Sequence, residues 1–250
     1  MKILLLNPNM TQSMTDNMAA IARATVGDLA QIHPVTATRG FPYIASRAEA
    51  QIAGNIVLEM IAEHSGDVDA VIIAAFGDPG LSGARDLFDM PIVGMAEAAI
   101  MTAGLLGETF AVVTFSPLMN RWYADCVAQT GLASRFRGVH TPALKSVDIA
   151  ALQTDMRDDL IDLATNATVH DGADVIILGG APLAGMAPEI APNVPALVID
   201  PIAAATLQAL ALARLTKQAG FAHRACKPDA KTSAGLPHSL ATALNPQRAS

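Results

Sequence analysis

Apolar residues in this chain come in short unbroken runs rather than in alternation with polar ones. The run that organises the rest lies in Asp69 to Gly80, DAVIIAAFGDPG, where Ala70 to Ala75 contains no polar residue. Such a run predicts a strand covered on both faces, as in a parallel sheet. Phe76, Gly77, Asp78, Pro79 and Gly80 then predict a turn, and a helix starts near Leu81. Its N-terminus faces the strand's carboxyl end, where free backbone N–H groups can hold an anion. The pattern recurs 105 positions later as DVIILGG, Asp174 to Gly180, running into the Pro- and Gly-containing turn Ala181 to Gly185. Matching pieces follow both turns, PIVGMAEAA from Pro91 and PALVIDPIA from Pro195. Two similar halves related by a pseudo-twofold axis are expected, with the Ala75 turn facing the Gly180 turn across a crevice. Open α/β sheets bind ligands outside the carboxyl ends of their strands, so this crevice is the expected site.

The remaining segments fit the same plan. Lys2 to Leu6 predicts a first strand ending in Asn7-Pro8-Asn9, and a helix from about Met14 to Thr25 follows, capped by Thr11 or Ser13. Ile32 to Thr38 predicts a second strand, and Gln51 to Ser65 an amphipathic helix. Phe110 to Thr114 answers the first strand, which sets Thr114 and Ser116 where Asn7 and Asn9 stand in the first half. Helices are expected over Leu118 to Thr130, Asp148 to Val169 and Ile202 to Gln218. The fold class is therefore α/β, two pseudo-symmetric lobes of mostly parallel sheet flanked by helices. The lobes are expected at 1–107, which the last helix (202–218) can join, and 108–221. From about Ala222 periodicity fades, and 222–250 is expected to be a tail outside the fold, free to dock on a neighbour.

Composition narrows the class. Charged residues make up 16% of the 250 and hydrophobic ones 52%, against about 25% charged in typical domains; extra buried surface, and so a homo-oligomer, is expected. The apolar stretch Pro201 to Ala213 has 13 residues, short of the roughly 20 that a membrane span needs. A short apolar N-terminus and two cysteines, Cys126 and Cys226, give neither a secretory leader nor a disulfide framework, so a cytoplasmic address is expected. A net charge of −7 without a basic stripe argues against nucleic acid. The histidines show no metal-ligand spacing.

Several polar residues are candidates for holding a small molecule. Asn7, Asn9 and Thr11 either donate to a ligand or merely shape a turn, and both readings stand. Tyr43 and Arg47 attract notice because arginine is scarce here and its fork suits a carboxylate; a solvated helix-start arginine is the plainer reading. Cys126, mid-helix beside Trp122 and Tyr123, fits a core residue.

In order along residues 2–215, NPNMT, AAFGDPGL, PIVGMAEAA, FAVVT, LGGAPLAG and VIDPIAAA resemble the aspartate/glutamate/hydantoin racemase superfamily, its hydantoin and allantoin racemase branch most of all. The resemblance implies two α/β lobes with the site between them, and no metal, flavin, nicotinamide or pyridoxal cofactor. In those racemases the two strand-end motifs are similar to ACFGDPGL and LGCAGM, and their thiols flank the reacting carbon. This chain has Ala75 and Gly180 at those positions, so two-thiol racemisation is not available to it. Arylmalonate decarboxylases of the superfamily keep one such cysteine and its maleate isomerases need one as nucleophile, and neither position is filled here.

The binding apparatus is retained. Amides of Phe76 and Gly77, their mirrors at Gly180 and Ala181, and the side chains of Asn7, Asn9, Thr11, Thr114 and Ser116 can cradle a carboxylate or an imide oxygen. Glu97, just past a buried strand, is the expected general base, with Asp78 as runner-up and Ser116 as a third candidate for the catalytic group. Asp78 also suits a turn, and Asp200, before Pro201, suits a helix cap. The expected activity is cofactor-independent hydrolysis or elimination on a hydantoin-like ring, desulfuration of a 2-thiohydantoin being one form. The alternatives are a racemase-type isomerase with a non-cysteine acid/base pair, and a non-catalytic binder of small ligands.

Overall fold

The structure is a computed structural model that describes residues 1–143, 152–219 and 229–245. The first half runs β1 (Lys2–Asn7), α1 (Gln12–Val26), β2 (Gln31–Thr36), α2 (Arg47–His64), β3 (Ala70–Ile73), α3 (Leu81–Leu87), β4 (Ile92–Gly94) and α4 (Met95–Leu106). The second runs β5 (Phe110–Val113), α5 (Asn120–Gln129), β6 (Phe136–His140), α6 (Leu152–Asp155), α7 (Arg157–Val169), β7 (Val175–Leu178), α8 (Ala187–Ile190), β8 (Leu197–Ile199) and α9 (Pro201–Ala219). A further helix, α10 (His238–Leu244), follows. The sheets are wholly parallel and ordered β2-β1-β3-β4 and β6-β5-β7-β8, the same order twice. Ile3 to Leu6, Ala70 to Ile73, Phe110 to Val113 and Val175 to Leu178 have no exposed surface. That is the physical meaning of the unbroken apolar runs: each central strand is covered on both faces.

The halves are interlocked. Helix α4 leaves the first sheet and packs on β7 of the second, while α9 leaves the second and packs on β3, α1 and α4. Gln208 on α9 donates to Ala98 O and to Thr102 Oγ1 of α4, both at 2.8 Å. One apolar cluster therefore runs through both sheets by way of Phe76, Trp122, Tyr123, α4 and α9, with a smaller cluster on the outer face of each sheet.

Two expectations are corrected. The helix expected over Asp148 to Val169 is divided at Met156, which lies between α6 and α7, and residues 144–151 fall outside the described ones. The tail expected outside the fold contributes α10, which packs on α2 of its own chain. Leu240 is 3% exposed there, and Ala243 joins the cluster on the outer face of the first sheet. A short amphipathic helix needs such an apolar partner to be stable. Cys226 lies outside the described residues. Leu240→Ala is expected to destabilise the protein by about 2 kcal/mol, read as a lower denaturation midpoint; an unchanged midpoint would show α10 to be an appendage.

Candidate active site

The tip of β1 is a hydrogen-bonded turn. Asn7 is fully buried, and its Nδ2 donates to Asn9 Oδ1 at 3.0 Å and Thr15 Oγ1 at 2.9 Å. Asn7 Oδ1 accepts from Asn9 N at 3.1 Å, and Asn9 Oδ1 from Thr11 N at 2.9 Å. The Thr11 hydroxyl donates to Pro42 O at 2.6 Å and holds the 40–46 loop over the strand tip. Asn7 and Thr11 thus shape the turn. Asn9 faces the crevice, with only a long contact from Nδ2 to Met14 sulfur at 3.7 Å.

The tips of β3 and β7 face this turn. Ala75, Phe76, Gly180 and Ala181 line the crevice together with Asn9, Tyr43, Ile44, Trp122 and Tyr123. Thr114 sits behind them, fully buried, and donates from Oγ1 to Gly179 O at 2.7 Å. Phe76 and Tyr123 pack edge to face with ring centres 4.6 Å apart, and Tyr43 lies 5.8 Å from Phe115. The aromatics leave only about 20 Å³ free, room for about one water. Burial raises both tyrosine hydroxyls, Tyr43 further because Glu49 is near and Tyr123 further because Tyr43 is near. Both stay protonated and can act as donors.

Gly180 has φ +121°, a conformation that side-chain-bearing residues rarely adopt. A Cβ there would also lie 3.1 Å from Phe115 and 3.5 Å from the Tyr123 hydroxyl. At Gly77, also at φ +121°, a Cβ would fall inside the indole of Trp122. Beyond Gly77 lies a second, outer cleft of about 530 Å³ between α2, the loop 77–80 with the start of α3, and α5.

The carboxylates are placed differently from the sequence expectation. Glu97, expected as a desolvated base, is held by Arg85: Nη1 meets Oε1 at 2.9 Å, Nη2 meets Oε2, and Nε holds Ile92 O at 3.0 Å. It borders neither the crevice nor the outer cleft. Asp78, a non-glycine residue at φ +49°, turns its carboxyl into the start of α4. It accepts from Ala96 N at 2.8 Å and Glu97 N at 2.7 Å. Any side chain at Gly94 would fall on that carboxylate. Burial pushes the Asp78 carboxyl up to about 7, against the two amide hydrogen bonds and Arg85, while Glu97 adds to the rise.

Other candidates take structural positions. Ser116 Oγ accepts from Leu118 N at 3.4 Å and starts a short 3₁₀ turn outside the crevice. Arg47 donates to Asp125 from Nε at 2.8 Å and to Arg121 O at 3.1 Å, so it bridges α2 and α5 instead of waiting for a ligand. Asp200 caps α9 through Ile202 N and Ala203 N and also holds Gly185 N at 2.6 Å. The Cys126 thiol, at the edge of the outer cleft, is pushed up to about 12 by burial and then by Asp78 and Asp125. It is a poor nucleophile at neutral pH. Sequence reasoning missed Trp122 and Tyr123 as crevice walls. Their spacing on α5 marks a buried helix face but not what that face adjoins.

Comparison with known proteins bears on this geometry. Residues 3–209 match the family model described as Asp/Glu/Hydantoin racemase. The hydantoin racemase of Paenarthrobacter aurescens is 33% identical over 238 residues, covering 92% of this chain and 99% of its own. The structure of the allantoin racemase from Klebsiella pneumoniae superposes with a TM-score of 0.86 at 29% identity, covering 98% of this chain and 99% of that one. That of the Pseudomonas fluorescens allantoin racemase gives 0.84 at 29% identity, over 94% and 100%. With its fold, its doubled strand-tip motifs and a family match over most of its length, the chain belongs to the Asp/Glu/hydantoin racemase family.

Proposed function

We propose that this chain is a racemase-type isomerase of hydantoin-like rings that works without the two-thiol pair. The observation that carries the reading is the similarity to a protein named hydantoin racemase over 92% of the chain. Removing the proton from the ring carbon next to a carbonyl leaves negative charge on the carbonyl oxygen. The crevice supplies donors for that charge: Asn9 Nδ2, the protonated hydroxyls of Tyr43 and Tyr123, and the amides of Phe76, Gly180 and Ala181. Such preorganised donors stabilise an oxyanion more than water does.

The proton needs a different carrier. Ala75 and Gly180 cannot move one, Cys126 holds its own, and Glu97 is paired with Arg85. Asp78, with its carboxyl near 7, exchanges protons close to neutral pH, the range in which a general acid/base works best. It lines the outer cleft and not the crevice, so its proposed role is to take the ring proton through a bridging water, the planar enolate then being reprotonated by water on either face.

The missing proton carriers at 75 and 180 favour a second reading, the attack of water on a ring carbonyl or thiocarbonyl held by the same donors. Incubating enantiopure 5-substituted hydantoins and their 2-thio analogues in D₂O separates the readings. Loss of the C5 proton signal together with optical activity is the outcome expected of an isomerase. A mass gain of one water, or release of sulfide, would replace it with the hydrolytic reading. Binding with no turnover would leave a small-ligand binder.

Two predictions concern Asp78. Turnover is expected to rise with pH through about 7, as the carboxylate forms, and Asp78→Asn to remove that inflection and lower kcat by ~10² to 10⁴. Glu97→Gln is expected to stay within about tenfold of the parent kcat. The order reversed would return the base to Glu97.

Stability gives the second. The folded protein keeps the Asp78 proton to about 7, whereas the unfolded chain releases it near pH 4. Between those values the folded state binds more protons, so this group's contribution falls as pH rises from about 4 to 7, on the order of a few kcal/mol in all. Denaturant melts across that window should show a steeper decline for the parent than for Asp78→Asn. Parallel curves would mean that the amide bonds to Asp78 cancel the effect of its burial.

A further inference from the structure

Trp122 separates the two cavities near the strand tips. Among the described residues it is the one that lines both the inner crevice and the outer cleft, and its indole lies against the backbone of Gly77. The inner crevice has about 20 Å³ free. On that measure one water needs about 10–15 Å³, and a hydantoin ring, with seven heavy atoms including its oxygens, takes the place of about three waters, on the order of 30–45 Å³. Some wall must therefore move when a ring binds.

The other walls are held, Tyr43 and Ile44 by a loop tied at Pro42 to Thr11 and by the packing of Tyr43 on Phe115. Ala75, Gly180 and Ala181 present backbone and a methyl at most. Tyr123 is fully enclosed beside Thr114 and packs on Phe76, and Asn9 belongs to the hydrogen-bonded turn. Behind the indole there is room, for the outer cleft holds about 530 Å³. Gly77 keeps the partition thin, since without a Cβ the indole can rest on the chain itself.

We infer that Trp122 is the size-determining residue of the site, and that the outer cleft receives the substituent on the ring. The inference rests on the reading of the crevice as a ring-binding site. The ring occupies the inner crevice, the indole swings off Gly77, and the substituent passes into the cleft. Gln51 and Asn55, one turn apart on α2, line that cleft with Leu58, which suits a chain of several atoms ending in a hydrogen-bonding group. A methyl substituent ends before the indole and leaves it in place.

Trp122 is the sole tryptophan of the chain, so its emission reports its position in the unaltered protein. The probes are 5-methylhydantoin, 5-benzylhydantoin and 5-(2-carbamoylethyl)hydantoin, with binding measured independently by calorimetry. The two longer rings are expected to shift the emission and raise acrylamide quenching at least threefold, and the methyl ring to do neither. Trp122→Ala is expected to move the affinity ratio at least tenfold toward the longer rings, with Trp122→Phe in between. Calorimetric binding of the longer rings with unchanged emission overturns this inference and leaves the ring-binding reading intact. So do variants whose affinities for all three rings move together. If no ring binds, the reading of the crevice falls and this inference with it.

Discussion

Two carboxylates hold the strand-end loops against the helices that cross between the lobes, and the placing of every group in the crevice depends on them. Asp78, in the loop after β3, reaches forward to the first amides of α4. Asp200, at the start of α9, caps its own helix and reaches back to Gly185 in the loop after β7. The same stitch, loop to helix N-terminus, is thus made from opposite ends in the two halves. Each satisfies amides that the helix cannot pair, a bond of about 1 kcal/mol where measured. Its importance here is positional. Because α4 rests on β7 and α9 on β3, a loop tied to either helix is registered against both sheets.

That registration leaves little room for thiols. At Gly180 the backbone takes a conformation suited to glycine, and Phe115 and the Tyr123 hydroxyl border the space a Cβ would need. The departure from the two-cysteine pattern is therefore more than a change of side chain, since the β7 tip itself has a shape that opposes one. Ala75 is a milder case, lying in the crevice with a methyl and an ordinary backbone. The core is continuous across the lobes through Phe76, Trp122 and Tyr123, so a ligand is better admitted by a side chain that moves than by sheets that part.

The fold was legible because its central strands leave no face open to water. Unbroken runs at Ala70 and Val175 admit no reading as half-exposed strands, and their repetition exposed the doubled plan. The strand tips were legible for the same reason, the carboxyl ends of such strands being where helices begin. Which polar group at a tip faces inward was not. Asn7 and Asn9 are the same residue type two positions apart, yet one closes the turn and the other lines the crevice. Pairings across the sequence were hidden altogether. Glu97 meets Arg85 from another helix, and Arg47 meets Asp125 across the lobes; neither partner can be found from local periodicity. The helix α10 was obscured by its setting, a single turn or two of apolar spacing inside a stretch of Ala, Ser, Thr and Pro.

Isomerisation and water attack make the same first demand of this crevice, that negative charge on a ring oxygen be met by donors already in place. Tyr43 and Tyr123 meet it because burial keeps their protons on. The same burial disqualifies them as bases, as it does Cys126. On the reading proposed above, an aromatic pocket of this kind holds neutral donors inside and leaves proton exchange to a carboxyl outside it. Asp78 lies along the outer cleft, outside the crevice. It is near enough to the β3 tip to share its turn and is open to the outer cleft, and its carboxyl is balanced between burial, which favours the acid, and two amides and Arg85, which favour the carboxylate. A group so balanced changes state for little free energy. The carboxylate that fixes the loop is for that reason also the one the proposed isomerisation assigns to proton exchange.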